Sequence, residues 1–175
     1  IPSSLQEKTK AEIASLHNEL ENIIKGIFFI KGASPKAFDT ILSYAFKISA
    51  IIVSSFIDAK LEDTDKFVKI SDAVADIGES AKLIREKFSK TNGLVVLPGR
   101  ALDNTLGAGC NDSNYIASIF AYALKAESLE IWGTTDVFMT ADPSVISKAY
   151  TIEKLSYSEA TELCNFESVT LEPKV

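Results

Sequence analysis

Sulfur, imidazole and clustered positive charge are all scarce in this chain. Two cysteines, one histidine, one methionine and one tryptophan occur among 175 residues. Cys110 and Cys164 are too few and too isolated for a disulfide framework or a zinc site, and such usage suits a reducing compartment. A cytoplasmic location is the expectation. His17, set among Glu and Lys, reads as a surface residue, so no imidazole stands near Cys110 in sequence to make a nucleophile and base pair. The net charge of −6, without a basic run, excludes the electrostatic footprint of a nucleic-acid binder. Long hydrophobic runs are missing too. The longest strongly apolar stretch, Ile48 to Ile57, is broken by serines and falls short of the ~20 residues of a membrane span, so no membrane partner is expected. Ile1-Pro2-Ser3-Ser4 lacks the charged start and apolar stretch of an export signal. Without an initiator Met, the chain reads as an excised fragment that something precedes.

What is present is a sequence sized for one domain, able to bury roughly 70% of its unfolded surface. Ile13, Leu16, Leu20, Ile23 and Ile24 recur at spacings of three and four, predicting an amphipathic helix over 5–24. Ser34 as N-cap and Pro35 at the first helical position predict a second helix ending near Asp58, with Phe38, Ile41, Leu42, Ala45, Ile48, Ile52 and Phe56 on its buried side. A short strand is predicted over 66–70 and a helix over 79–88. Leu94 to Leu97, a continuous apolar run, predicts a parallel strand covered on both faces. A helix over 115–125, capped by Asp112 or Ser113, presents Ile116, Ile119, Phe120, Ala123 and Leu124 inward. Leu129 to Trp132 predicts another strand, completing a βαβ unit and hence a parallel sheet with packed helices. Ser156 with Glu159 three residues on predicts a capping box and a last helix.

The chemistry-bearing feature is Thr105-Leu106-Gly107-Ala108-Gly109-Cys110-Asn111-Asp112. Small residues before a helix let backbone N–H groups approach an anion, and the helix N-terminus adds unpaired donors and a positive dipole end. The same glycines also suit a plain strand-to-helix turn. Asp112 offers either a hard oxygen ligand for magnesium or a helix cap, and Asp136 and Asp142 offer carboxylates or turn residues. No metal site is assigned from these. Tyr115, Phe120 and Tyr122 read as core or interface, and Glu62, Asp63 and Asp65 as a solvated acidic loop.

Leu94 to Pro143 followed by Leu155 to Pro173 resembles the aspartate kinase family, in particular the kinase half of bifunctional aspartokinase–homoserine dehydrogenases. The family reads Thr-Leu-Gly-Arg-Gly-Gly-Ser-Asp where this chain has Thr105 to Asp112, and Glu-Ile-Trp-Thr-Asp-Val-Asp-Gly where it has Glu130 to Val137 in part. Met-Thr-Ala-Asp-Pro-Arg corresponds to Met139 to Ser144, Phe-Gly-Ala-Lys-Val-Leu-His-Pro to Phe166 to Pro173, and Leu-Ser-Tyr-Gly-Glu-Arg-Leu-Ser to the segment Ile41 to Ser49. The resemblance implies an α/β class, a three-layer α/β/α sandwich of the amino-acid kinase (carbamate kinase-like) type. It is partial, since the amino-terminal Lys-Phe-Gly-Gly-Thr-Ser strand and the carboxy-terminal regulatory domains have no counterpart. The reaction implied is ATP-dependent phosphorylation of the L-aspartate side-chain carboxylate. It implies ATP and Mg²⁺ as cofactors, Asp112 as the catalytic carboxylate, and Gly107, Gly109, Thr135, Asp136 and Asp142 on the nucleotide side. Implied partners are L-aspartate and ATP, with a homo-oligomer or a linked homoserine dehydrogenase domain left open.

Against that pattern several charges are missing. The loop Arg that grips substrate carboxylate is Ala108, and the following Gly and Ser are Cys110 and Asn111. The Glu that holds the substrate amine falls on Phe46. The Thr-Asp pair falls on Gly133 and Thr134 unless Thr135 and Asp136 substitute by a one-position slip. The Arg after Asp-Pro is Ser144, and the late Lys is Val169. Phosphoryl transfer rests on positioning and positive charge around the phosphates, so the expectation is a poor kinase. A non-catalytic kinase-like module and a nucleotide binder without transfer activity are the alternatives.

Overall fold

The computed structural model describes residues 3–71, 74–101, 113–132, 138–141 and 145–165. These divide into two compact units, 1–127 and 128–175.

The first unit begins with an antiparallel-reading helical pair, α1 (Ser3–Ile30) and α2 (Pro35–Phe56), which pack on one another. Helix α1 runs past the predicted Ile24 to Ile30: the stretch has no proline, and the single Gly26 weakens a helix without ending it. The Ser34 hydroxyl accepts the Ala37 N–H with Pro35 in the first turn, as the N-cap pattern predicts. At the other end Asp58 takes a positive φ of 53°, and Ala59 N–H donates to the Ser54 carbonyl at 2.9 Å. That six-residue closure releases the chain straight into β1 (Lys60–Leu61).

Strand β1 pairs in parallel with β4 (Val95–Val96), Lys60 opposite Val95. Between them lie a 3₁₀ turn at Thr64–Lys66, the antiparallel pair β2 (Ile70–Ser71) and β3 (Val74–Ala75), and α3 (Ile77–Phe88). The crossover α3 therefore makes a β–α–β unit one step earlier than the predicted one. Residues 129–132 form no strand, and Trp132 is 88% exposed. The predicted strand over 66–70 is likewise replaced, because Asp63 caps Asp65 N–H and turns the chain into the 3₁₀ segment.

Helix α4 (Ser113–Leu124) packs on α3. Ile84, Phe88, Tyr115, Ile116, Ile119 and Ala123 make this core, with the Phe88 ring set edge-on to Phe67 at 4.9 Å and to Phe120 at 5.8 Å. Helix α2 packs on β1 and β4. It is 22 residues long and apolar enough to cross a bilayer by length and composition, yet Lys36, Asp39 and Lys47 lie along it. Its buried residues are Ser43, Ala50, Ile51 and Ser54. The predicted stripe is thus displaced: Phe38, Leu42, Ile52 and Phe56 are exposed.

In the second unit Met139 bridges Thr151 in antiparallel sense, and Thr140 N–H donates to the Tyr150 carbonyl at 3.0 Å. Helix α5 (Tyr157–Cys164) starts with the predicted capping box: Ser156 accepts the Glu159 N–H and Glu159 accepts the Ser156 N–H.

Candidate functional site

Parallel strands end on the same side of a sheet, and the crevice beyond their carboxyl ends is where α/β folds hold ligands. Here β1 delivers Glu62, Asp63 and Thr64 to that edge, and β4 delivers Leu97 to Ala101. Thr64, fully buried, donates its hydroxyl to the Pro98 carbonyl. The two strand ends are thereby clamped together. Gly99 then passes so close to the start of α4 that an added Cβ would lie 2.7 Å from Ser113 Cβ. A side chain there is excluded by contact.

Arg100 is 4% exposed. Its Nη2 donates to Asp39 Oδ1 of α2 at 2.5 Å, and its guanidinium carbon lies 6.0 Å from the Phe46 ring centroid. Asp39 and Phe46 are seven residues apart, two helical turns, so α2 offers both to one guanidinium. The Arg100 Nε has no hydrogen-bond partner among the described residues. Ala101, the last described residue before the glycine loop, is fully buried.

Glu62 is not the solvated loop residue expected. Its side chain is 10% exposed and accepts from Lys60 Nζ at 2.8 Å and Lys87 Nζ at 3.0 Å. These two hydrogen bonds, Lys60 first, hold its carboxyl below the ordinary carboxylate range. His17 is exposed, as predicted. Cys164 is a half-buried free thiol whose burial pushes its pKa up.

Two cavities flank Pro98, which lines both. One of about 290 Å³ lies between Leu97, Gly99, Ser113, Ile116 and Phe120. The other, of about the same volume, lies against α1 and α2. Gly107, Gly109, Asp112, Thr135, Asp136 and Asp142, together with Ala108, Cys110, Asn111, Gly133, Thr134, Ser144 and Val169, lie outside the described residues. What is described in the first unit is Ala101 before the loop and α4 after it, and in the second unit the Met139–Thr151 bridge, whose residues flank Asp142 in sequence. No group of three or more potential metal ligands occurs among the described residues.

Residues 5–175 match the model of the amino acid kinase family. The chain belongs to that family. It is 30% identical over 171 residues to the bifunctional aspartokinase/homoserine dehydrogenase of Buchnera aphidicola, covering 90% of this chain and 21% of that protein. It is 25% identical to the lysine-sensitive aspartokinase 3 of Escherichia coli, covering 90% and 40%. The crystal structure of E. coli aspartokinase III in complex with lysine and aspartate superposes with a TM-score of 0.66 at 26% identity over 91% of this chain and 40% of that one. Clostridium acetobutylicum aspartate kinase gives 0.67 at 25% identity over 90% and 36%. This chain is an aspartokinase-family domain with the amino-acid kinase fold, in partial form, and its family's function is aspartate phosphorylation. It spans 21% to 40% of the length of these relatives. Membership of a kinase family implies use of ATP.

The sequence reading missed Arg100, Asp39 and Glu62 as members of this edge. Only the position of Arg100, just ahead of the loop, offered a signal.

Proposed function

We propose that residues 1–175 form part of one aspartokinase catalytic core in which phosphoryl transfer from ATP to the L-aspartate side chain is strongly impaired in the chain as it stands. The observation that carries this reading is the fate of its guanidinium groups. The chain has two arginines. Arg85 donates its Nε to the Ala123 carbonyl at 2.8 Å, and Arg100 is buried against Asp39 and Phe46. Arg100 is spent on packing, and Arg85, at an exposed position of α3, is tied through its Nε to the end of α4. A transferring phosphoryl group is stabilised chiefly by preorganised cations, and losing one such donor costs about a hundredfold to a thousandfold in rate. Ala108 and Ser144 supply none. Phe46, under the Arg100 guanidinium, has no acceptor for a substrate ammonium.

On this reading the family's phosphate-cradle positions fall on Gly107 and Gly109, its nucleotide positions on Thr135, Asp136 and Asp142, and its catalytic carboxylate on Asp112. The relatives are biosynthetic enzymes; a cytoplasmic location fits the bacterial ones, whereas those of Arabidopsis thaliana are named chloroplastic. The test is hydroxylamine trapping of aspartyl phosphate with ATP, Mg²⁺ and L-aspartate. No product above background is expected. Turnover near the ~10 s⁻¹ of an ordinary enzyme would refute impairment.

A second reading, a kinase-like module kept for assembly, draws on the end of α1, where Phe28, Phe29 and Ile30 are 76%, 79% and 74% exposed. Such apolar surface suits burial against a second copy or a linked homoserine dehydrogenase domain. Light scattering of the chain at micromolar concentration tests the first of these, and a monomer would count against it.

A further inference from the structure

The cavity on the α1–α2 side of Pro98 has an apolar floor made by Leu16 of α1, Ile51 of α2, Leu61 of β1 and Pro98 itself. Charge sits on its rim, where Lys47, Glu62, Asp63 and Lys66 line it. Glu62 is held by Lys60 and Lys87, two ammonium groups for one carboxylate. Lys47 faces Asp65 at 3.8 Å, beyond hydrogen-bond reach. One oxygen of Asp63 receives the Asp65 N–H at 3.4 Å. The Lys66 ammonium has no ion-pair partner among the described residues. Two lysines and two carboxylates line the cavity, and one of those carboxylates, Glu62, is already matched by Lys60 and Lys87 from outside the lining, which leaves Lys47 and Lys66 in excess over Asp63 although the whole chain carries a net charge of −6. A surplus cation above an apolar floor is complementary to an organic anion, and the rim carboxylates disfavour a dianion.

We propose that this cavity binds a small monocarboxylate carrying a compact, branched apolar substituent. The carboxylate is taken by Lys66 with Lys47, and the apolar body lies on Leu16, Ile51, Leu61 and Pro98. At about 290 Å³ the cavity is at the lower edge of ligand pockets, which suits a molecule of few heavy atoms. A free acid and an α-amino acid share this chemistry; the second Asp63 oxygen is available to an α-ammonium. The site is independent of the phosphoryl-transfer reading, but it shares Pro98 with the cavity beside Gly99, so its occupant touches the turn that leads to the glycine loop.

Calorimetric titration of the full chain with isovalerate, L-leucine, isoamylamine and inorganic phosphate tests the site. Saturable binding of isovalerate or L-leucine with a Kd of about 1 mM or tighter is expected, and none of isoamylamine or phosphate. Whichever of the first two binds more tightly identifies the free acid or the amino acid as the source. Lys66→Ala is expected to weaken that binding about tenfold or more, while Lys90→Ala leaves it unchanged. Absence of binding by both carboxylates, comparable binding of isoamylamine or phosphate, or unaltered affinity in a folded Lys66→Ala variant overturns the proposal.

Discussion

Asp39 and Arg100 stand 61 residues apart in the chain and meet at 2.5 Å. Because the guanidinium is buried, the pair is held less by its attraction than by the penalty for breaking it, since an uncompensated interior charge costs about 3–5 kcal/mol. Asp39→Asn is therefore expected to lower unfolding free energy by about that amount in urea titrations, whereas an exposed exchange such as Lys90→Ala stays within about 0.5 kcal/mol. Glu62 makes a second prediction. Its carboxyl titrates below the ordinary glutamate value of 4.5 because Lys60 and Lys87 donate to the ionised form. Its contribution to stability is fully present above pH 4.5 and is lost as pH falls through the lower folded value. Glu62→Gln should flatten the acid limb of a stability–pH profile; an unchanged limb would show that the contacts are not maintained in solution. Neither residue was legible in the sequence as a partner, since ion pairs across long loops leave no periodic trace, and Glu62 sat in an acidic run that reads as solvated.

At the scale of elements, local rules were legible where they act within a turn or two. Ser34 with Pro35 and Ser156 with Glu159 start helices as their patterns require. The ends of α2, α3 and α4 were legible as well, near Asp58, Phe88 and Lys125, whereas α1 ran on past Ile24; the positive-φ residues that close α1, α2 and α4 are Lys31, Asp58 and Lys125, none of them glycine. After α4, Ala126 N–H donates to the Ala121 carbonyl at 2.9 Å, so the left-handed residue is required and its side chain is a cost. Lys125→Gly is expected to raise unfolding free energy by about 0.5–1 kcal/mol; a loss would mean that the lysine side chain contributes elsewhere. Gly99 is the converse case. Gly99→Ala drives a methyl group into Ser113 Cβ and is expected to cost about 1–3 kcal/mol. Adding Ser113→Gly removes the obstructing Cβ, so a double-mutant cycle should show clear coupling. The displaced face of α2 had another cause. Its apolar residues are abundant enough to read as several stripes, and the choice among them was made by contact with β1, β4 and α1.

For the whole molecule, the family frame and its missing charges bear on nucleotide binding. A ligand that binds only the folded state raises its stability by RT ln(1 + [L]/Kd). With Ala108 and Ser144 where the family has arginines, and Arg85 and Arg100 engaged elsewhere, Mg-ATP at about 1 mM is expected to leave the thermal midpoint unchanged. An upward shift of several degrees would assign nucleotide binding to the chain. The sequence by itself determined the helix starts after Ser34 and Ser156, the β4 strand and the order of family motifs, because each rests on neighbours within a few residues or on residue identity alone; the βαβ unit it predicted through 129–132 is not formed, and β1, α3 and β4 make one instead. Tertiary structure alone decided that Thr64 clamps Pro98, that Arg100 is buried against Asp39 and Phe46, that Glu62 is enclosed by two lysines, and which face of α2 is covered. Those outcomes depend on which surfaces remain to be satisfied when distant segments pack, and burial turns an ordinary charge into one that must find a partner.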